Sequence, residues 1–75
     1  MGQSFVICIR NDEYRVSLEK RKIYLQLSDP EAEKHHYVRV IDESGEDYLY
    51  PEAYFMAIKL PEQIKRAVID AAQEL

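Results

Sequence analysis

The sequence predicts a mainly β domain of about five short antiparallel strands with one C-terminal α-helix. Apolar residues recur with a period of two in several segments of strand length, polar or glycine-containing stretches separate those segments, and residues 61–75 change to a helical period. The chain has 75 residues, 47% of them apolar and 32% charged. It can therefore build one thin core, with little room for an enclosed active site.

The first third of the chain contains two predicted strands joined by a long charged loop. Ser4–Arg10 is a continuous β-branched and aromatic run, and a second strand is predicted near Lys22–Leu27. Between them, Tyr14, Val16 and Leu18 alternate with polar residues. This alternation predicts an extended segment with one face directed inward.

A single helical turn is predicted after the second strand. Ser28 and Asp29 are both candidates for its N-cap, because either side chain can accept from the free N–H groups of a first turn. Pro30 follows at a position where no donor is needed, and the turn ends at Lys34.

The second half of the chain predicts a hairpin, a tight turn, a last strand and a helix. Gly45, in the hairpin loop, is expected in the left-handed conformation. The elements are predicted in this order: strand Tyr37–Ile41, loop Asp42–Asp47, strand Tyr48–Tyr50, a short helical turn in Pro51–Phe55, strand Phe55–Leu60, and a helix from Pro61.

The C-terminal helix carries one apolar stripe, formed by Ile64, Ala67, Val68, Ala71 and Leu75 and widened by Ile69 and Ala72. The apolar side chains of such a stripe are normally buried against another surface. The pattern leaves open whether the helix docks on its own barrel or on another chain, so we expect a monomer or a homodimer formed through this helix.

The chain reads as one domain, residues 1–75, with no linker long enough to divide it. Its apolar runs are too short to cross a bilayer, no signal sequence opens it, and its one cysteine, Cys8, cannot form an internal disulfide. We therefore expect a cytoplasmic protein without membrane association.

Charge is distributed unevenly along the chain. The net charge is −4, with +2 in residues 1–27 and −6 in residues 28–75. An acidic protein is repelled by phosphate backbones unless its basic residues gather on one face, so the balance argues against nucleic acid. The exception would be a basic loop surface, which gives an alternative nucleic-acid interface made of Arg15, Lys20, Arg21 and Lys22.

No metal, cofactor or catalytic constellation is predicted. His35 and His36 are adjacent and would point to opposite faces of a strand, and the acidic residues around Gly45 lack the spacing of a calcium loop. Cys8 lies inside an apolar run, where it is expected to pack as a small hydrophobic residue. We expect a protein that is not an enzyme.

The segment Tyr50-Pro51-Glu52-Ala53-Tyr54-Phe55 resembles an element of SH3 domains, in which a strand runs into a one-turn 3₁₀ helix and a closing strand. Residues 14–24 resemble the charged loop and following strand of that family. The resemblance implies a small SH3-like barrel over residues 5–60, followed by a helix over 61–75. Only Pro51 and Tyr54 match the peptide-groove positions of the family.

Ile41–Pro51, with the sequence IDESGEDYLYP, is also similar to a segment of small bacterial proteins of unassigned activity. This resemblance is the closer of the two. It implies a bacterial protein and brings no activity with it.

The composition directs attention to tyrosine, of which the chain has six. Tyrosine supplies broad, stiff contact area with a polar tip, as binding surfaces require. We therefore predict a non-catalytic protein–protein interaction module with an unknown protein partner. The predicted partner-binding residues are Tyr48, Tyr50, Pro51 and Tyr54, with Glu43, Glu46 and Asp47 nearby to select a basic partner.

Overall fold

The protein forms one open antiparallel sheet of five strands followed by a helix. The computed structural model describes residues 3–73. Its elements are β1 (Gln3–Cys8), β2 (Ile23–Leu27), α1 (Pro30–Lys34), β3 (Tyr37–Ile41), β4 (Asp47–Pro51), a 3₁₀ turn (Glu52–Tyr54), β5 (Phe55–Ile58) and α2 (Glu62–Gln73). The strand order across the sheet is β4-β3-β2-β1-β5. The predicted mainly β fold with a C-terminal helix is confirmed, whereas closure into a barrel stays a prediction.

Strand β1, which lies between β2 and β5, is buried on both faces. Phe5 lies opposite Leu25 of β2 and Ile58 of β5, while Val6 lies opposite Tyr24 and Ala57. Phe5 and Val6 point to opposite faces of the sheet, and each is only 3% exposed. This explains why the first strand reads as a continuous apolar run rather than as an alternating one.

The main core lies on the face of the sheet that carries Val6. Leu18 and Val40 are fully buried there. The other buried members of this cluster are Val6, Cys8, Tyr24, Val38, Tyr50, Tyr54 and Phe55, with Tyr14 packed against them. Four tyrosines therefore help to form the core or its margin.

Residues 14–18 correct one prediction from the sequence. They form a turn rather than an extended segment, because the amides of Ser17 and Leu18 both donate to the carbonyl of Tyr14 (3.1 and 2.8 Å). The turn folds Leu18 back into the core and leaves Val16 95% exposed. The three alternating residues therefore do not share one inward face.

The two predicted local signals at α1 and at the hairpin are present. Asp29 is the N-cap of α1, where its carboxylate accepts from the amide of Ala32 at 3.1 Å. Gly45 has a φ of +85° in the loop between β3 and β4, and its amide donates to the carbonyl of Asp42. A side chain is disfavoured in this left-handed conformation, so glycine suits the position.

Helix α2 begins immediately after Pro61, whose carbonyl accepts from the amides of Ile64 and Lys65. Its predicted apolar stripe is only partly covered. Ile64 is 46% exposed, Val68 and Ile69 are half-buried, and Ala67 and Ala71 are exposed. Leu75 and the side chain of Ala72, also assigned to the stripe, lie outside the described residues.

Candidate functional site: the β4 edge

The hydroxyl of Tyr50 is used inside the protein. It donates to the carboxylate of Asp42 at 2.5 Å and lies 2.9 Å from the hydroxyl of Ser17. Burial together with the Asp42 carboxylate raises the pKa of Tyr50 to about 12. Tyr50 is 3% exposed, so the side chain of this predicted partner-binding residue is not accessible to a partner.

Asp42 is the buried carboxylate in this network. Burial by itself raises its pKa, but hydrogen bonds from the hydroxyl and the amide of Ser44 and from Tyr50 outweigh that effect, and the pKa is lowered. A carboxylate that is 6% exposed is stable in its charged form only when such donors replace the lost water. The network fixes the start of the β3–β4 loop.

A second tyrosine hydroxyl fixes the same loop from β2. Tyr24 donates to Glu43 at 2.5 Å, and the amide of Glu19 donates back to the Tyr24 oxygen at 2.8 Å. Lys22 forms an ion pair with Glu43 at 2.7 Å. Glu43, predicted to select a basic partner, is therefore already neutralised by a cation of its own chain.

Tyr54 is also mostly internal. It is 9% exposed, its hydroxyl donates to the carbonyl of Asp12 at 3.2 Å, and the guanidinium of Arg10 lies 5.0 Å from its ring centre. Tyr14 packs edge-on against both Tyr50 and Tyr54, with ring centres 4.9 and 5.8 Å apart. The tyrosine excess is thus explained largely by an aromatic core whose hydroxyls anchor loops.

The predicted partner-binding residues that remain accessible lie on β4 and its loop. Tyr48 is 50% exposed, Pro51 is half-buried, and Glu46 accepts from the Tyr48 hydroxyl at 3.2 Å. Asp47 forms an ion pair with Arg39 at 2.9 Å. Of the three acidic residues predicted nearby, Glu46 alone has no partner lysine or arginine within residues 3–73.

The accessible residues share one structural feature: they lie on or beside β4, which is an edge strand of the sheet. Within the described chain it pairs with β3 on one side and with no strand on the other. Tyr48 and Leu49 point to opposite faces of this edge and are 50% and 44% exposed. Sequence reasoning missed Leu49, although its place between two tyrosines in a period-two strand indicates the opposite face.

Tyr37 extends the exposed apolar surface onto β3. It lies opposite Pro51 in the strand register and is 44% exposed. Leu49 and Pro51 point to the same face as Tyr37, because they are related by the period of two along β4. We define the β4 edge as Glu46, Tyr48, Leu49 and Pro51 together with Tyr37.

The residues of the alternative basic surface are exposed, but they do not form an uninterrupted positive patch. Lys22 is paired with Glu43, and Arg15 and Lys20 both contribute to lowering the pKa of Asp12, after the stronger effect of Arg10. An acidic side chain therefore lies among these cations. Arg21 has a φ of +72°, and its amide donates to the carbonyl of Cys8 at 2.7 Å.

The remaining candidate reactive groups are separate from the β4 edge. Cys8 is 1% exposed, and burial raises the pKa of its thiol, so the thiolate form of a nucleophile is disfavoured. His35 and His36 have exposed side chains at the end of α1. Within residues 3–73, no group of three or more histidine, cysteine, aspartate and glutamate side chains is arranged to hold a metal ion.

Comparisons with protein-family models, with curated proteins and with solved structures found no match to this chain. No helix in the described part of the chain is both long enough and apolar enough to span a membrane.

Proposed function

We propose that the protein is a non-catalytic protein–protein interaction module of SH3-like fold that acts in a bacterial cytoplasm and binds its partner along the β4 edge. The observation that carries the proposal is an edge strand with exposed Tyr48 and Leu49 on its two faces. A free strand edge offers main-chain donors and acceptors, and alternating side chains add selectivity.

The arrangement of elements supports the SH3-like part of the proposal. The long charged loop joins β1 to β2, β3 and β4 form a hairpin, and a 3₁₀ turn directly after Pro51 leads into β5. This is the chain order that the resemblance to SH3 domains implies.

Because Tyr50 and Tyr54 are buried, the proposed contact surface consists of accessible residues beside them. A partner would instead contact Tyr48, Leu49, Pro51 and Tyr37. Tyrosine and leucine at an exposed edge supply large contact areas with few rotatable bonds.

Nucleic-acid binding through Arg15, Lys20, Arg21 and Lys22 is less well supported. Lys22 is neutralised by Glu43 at 2.7 Å, Asp12 lies near Arg15 and Lys20, and the whole chain carries a charge of −4. Binding to phosphates requires several unpaired cations on one surface.

Site-specific photo-crosslinking in cells that naturally contain the protein tests the proposal. A benzophenone amino acid replaces Tyr48 in one variant and Val16, which is 95% exposed in the basic loop, in a matched control. We expect position 48 to capture a discrete protein and position 16 not to capture it. Leu49→Lys, added to the position-48 variant, should abolish that capture.

Two results would contradict the proposal. One is capture at position 16 but not at position 48, and the other is capture at position 48 that Leu49→Lys leaves unchanged. A gel shift with single- or double-stranded nucleic acid that is lost in Lys20→Ala and Arg21→Ala would instead favour the basic loop.

A further inference from the structure

An open pocket of about 410 Å³ lies next to the end of β4, on the core side of the sheet. Val6, Val38 and Phe55 line its apolar part. Val38 lies opposite Tyr50 in the strand register, and Glu52, at the pocket margin, follows Pro51 directly. The pocket is therefore adjacent to the end of the β4 edge.

The polar residues that line the pocket are acidic or neutral. They are Glu33, from α1, Glu52, from the 3₁₀ turn, and Gln26, from β2. Main-chain bonds connect the two glutamates through His36, whose amide donates to the Glu33 carbonyl and whose carbonyl accepts from the Glu52 amide. The two glutamates therefore line the pocket from elements that are held next to each other.

These carboxylates differ from most of the acidic residues described above. Asp12, Asp29, Glu43 and Asp47 each form an ion pair with a lysine or arginine of the same chain. Within residues 3–73 neither Glu33 nor Glu52 does so: the Glu33 carboxylate accepts from the amide of Asp29 at 3.4 Å, and the Nδ1 of His36 lies 3.6 Å from the Glu52 carboxylate.

We propose that this pocket receives a lysine or arginine side chain of the protein that binds the β4 edge. The alkyl stem would lie against Val6, Val38 and Phe55, and the cation would be placed between Glu33 and Glu52. A long basic side chain matches such a site, because its stem is apolar and its end carries donors only. This inference rests on the proposed function and names the chemistry of the partner.

An amide NMR titration with small probes tests the pocket without the partner. The probes are the Nα-acetyl methylamides of lysine, arginine and norleucine, of which norleucine keeps the alkyl stem and lacks the charge. We expect the basic probes to shift the amide signals of Val38, Phe55 and Ala57 and the norleucine probe to bind more weakly. An exposed ion pair contributes little free energy, so Glu33→Gln and Glu52→Gln should each weaken binding of the basic probes only about threefold.

Glu46→Gln is the matched control, since it removes the same charge from the β3–β4 loop and should leave probe binding unchanged. Ala57→Leu fills the pocket at an exposed position and should abolish binding without loss of fold. Equal binding of norleucine and lysine, signal changes centred on residues 9–22, or an equal effect of Glu46→Gln would overturn the pocket assignment. Failure here with successful crosslinking at position 48 would reject the pocket alone.

Discussion

Replacing Tyr50 with phenylalanine isolates the hydroxyl that joins β4 to the β3–β4 loop. The ring and its packing against Tyr14 and Phe55 are retained, while Asp42 loses a donor at 2.5 Å. Asp42 is 6% exposed and keeps its two bonds from Ser44. A hydrogen bond to a charged group contributes about 1.5–3 kcal/mol, so we expect Tyr50→Phe to lower the free energy of unfolding by about 2 kcal/mol.

Urea unfolding at neutral pH measures this change. With a slope of about 1 kcal/mol per molar urea for so small a domain, the midpoint should fall by about 2 M while the slope stays constant. The control is Tyr48→Phe, whose hydroxyl contacts the exposed Glu46, and its effect should stay within about 0.5 kcal/mol.

The pH dependence of the same variant gives a second readout. The pKa of Asp42 is lowered in the folded state, so its charged form stabilises the protein above the unfolded pKa of about 3.9, and that stability is lost as the pH falls through the folded value. The difference between wild type and Tyr50→Phe should therefore shrink in acid. Equal stabilities of Tyr50→Phe and Tyr48→Phe at neutral pH would refute the internal role of the hydroxyl.

Three other outcomes follow from the local structure. The pKa of Tyr50 is raised to about 12 and the pKa of Tyr24 is raised further, so the protonated tyrosines stabilise the folded protein fully below the unfolded tyrosine pKa of about 10. Circular dichroism at rising pH should therefore record unfolding above about pH 10. Full stability at about pH 12 would contradict the internal role of the two hydroxyls. Asp29→Ala removes the cap on the Ala32 amide and should cost about 1 kcal/mol by urea unfolding, more than Glu31→Ala in the same turn. Gly45→Ala should cost about 1 kcal/mol from backbone strain alone, since no atom outside Gly45 and its two chain neighbours lies within 4 Å of the added methyl group, and an unchanged thermal midpoint would exclude that strain.

Local patterns predicted most of the elements because their causes are local. The β-branched run of β1, the period of two in β2, the cap at Asp29 and the left-handed Gly45 each depend on a few neighbouring residues. The prediction of an extended segment over residues 14–18 was wrong. Three alternating apolar residues do not distinguish a strand from a turn in which the amide of Leu18 donates to the carbonyl of Tyr14.

The candidate site was less predictable because its decisive contacts are distant in sequence. Tyr50 meets Ser17 across 33 positions, and Tyr54 meets Asp12 across 42. Before those contacts were known, a tyrosine on a strand could be assigned equally to a binding surface or to an aromatic core. The exposure of Leu49 depends on β4 being the edge strand, which the order of elements in the chain does not determine.

Amide hydrogen exchange on the complex with the crosslinked partner tests the central claim most directly. If the partner binds along the β4 edge, the amides of Asp47 and Leu49, which alternate with those directed at β3, should become strongly protected on binding, while those of the basic loop, residues 9–22, should exchange as in the free protein. Protection of the basic loop with no change at Asp47 and Leu49 would contradict the account.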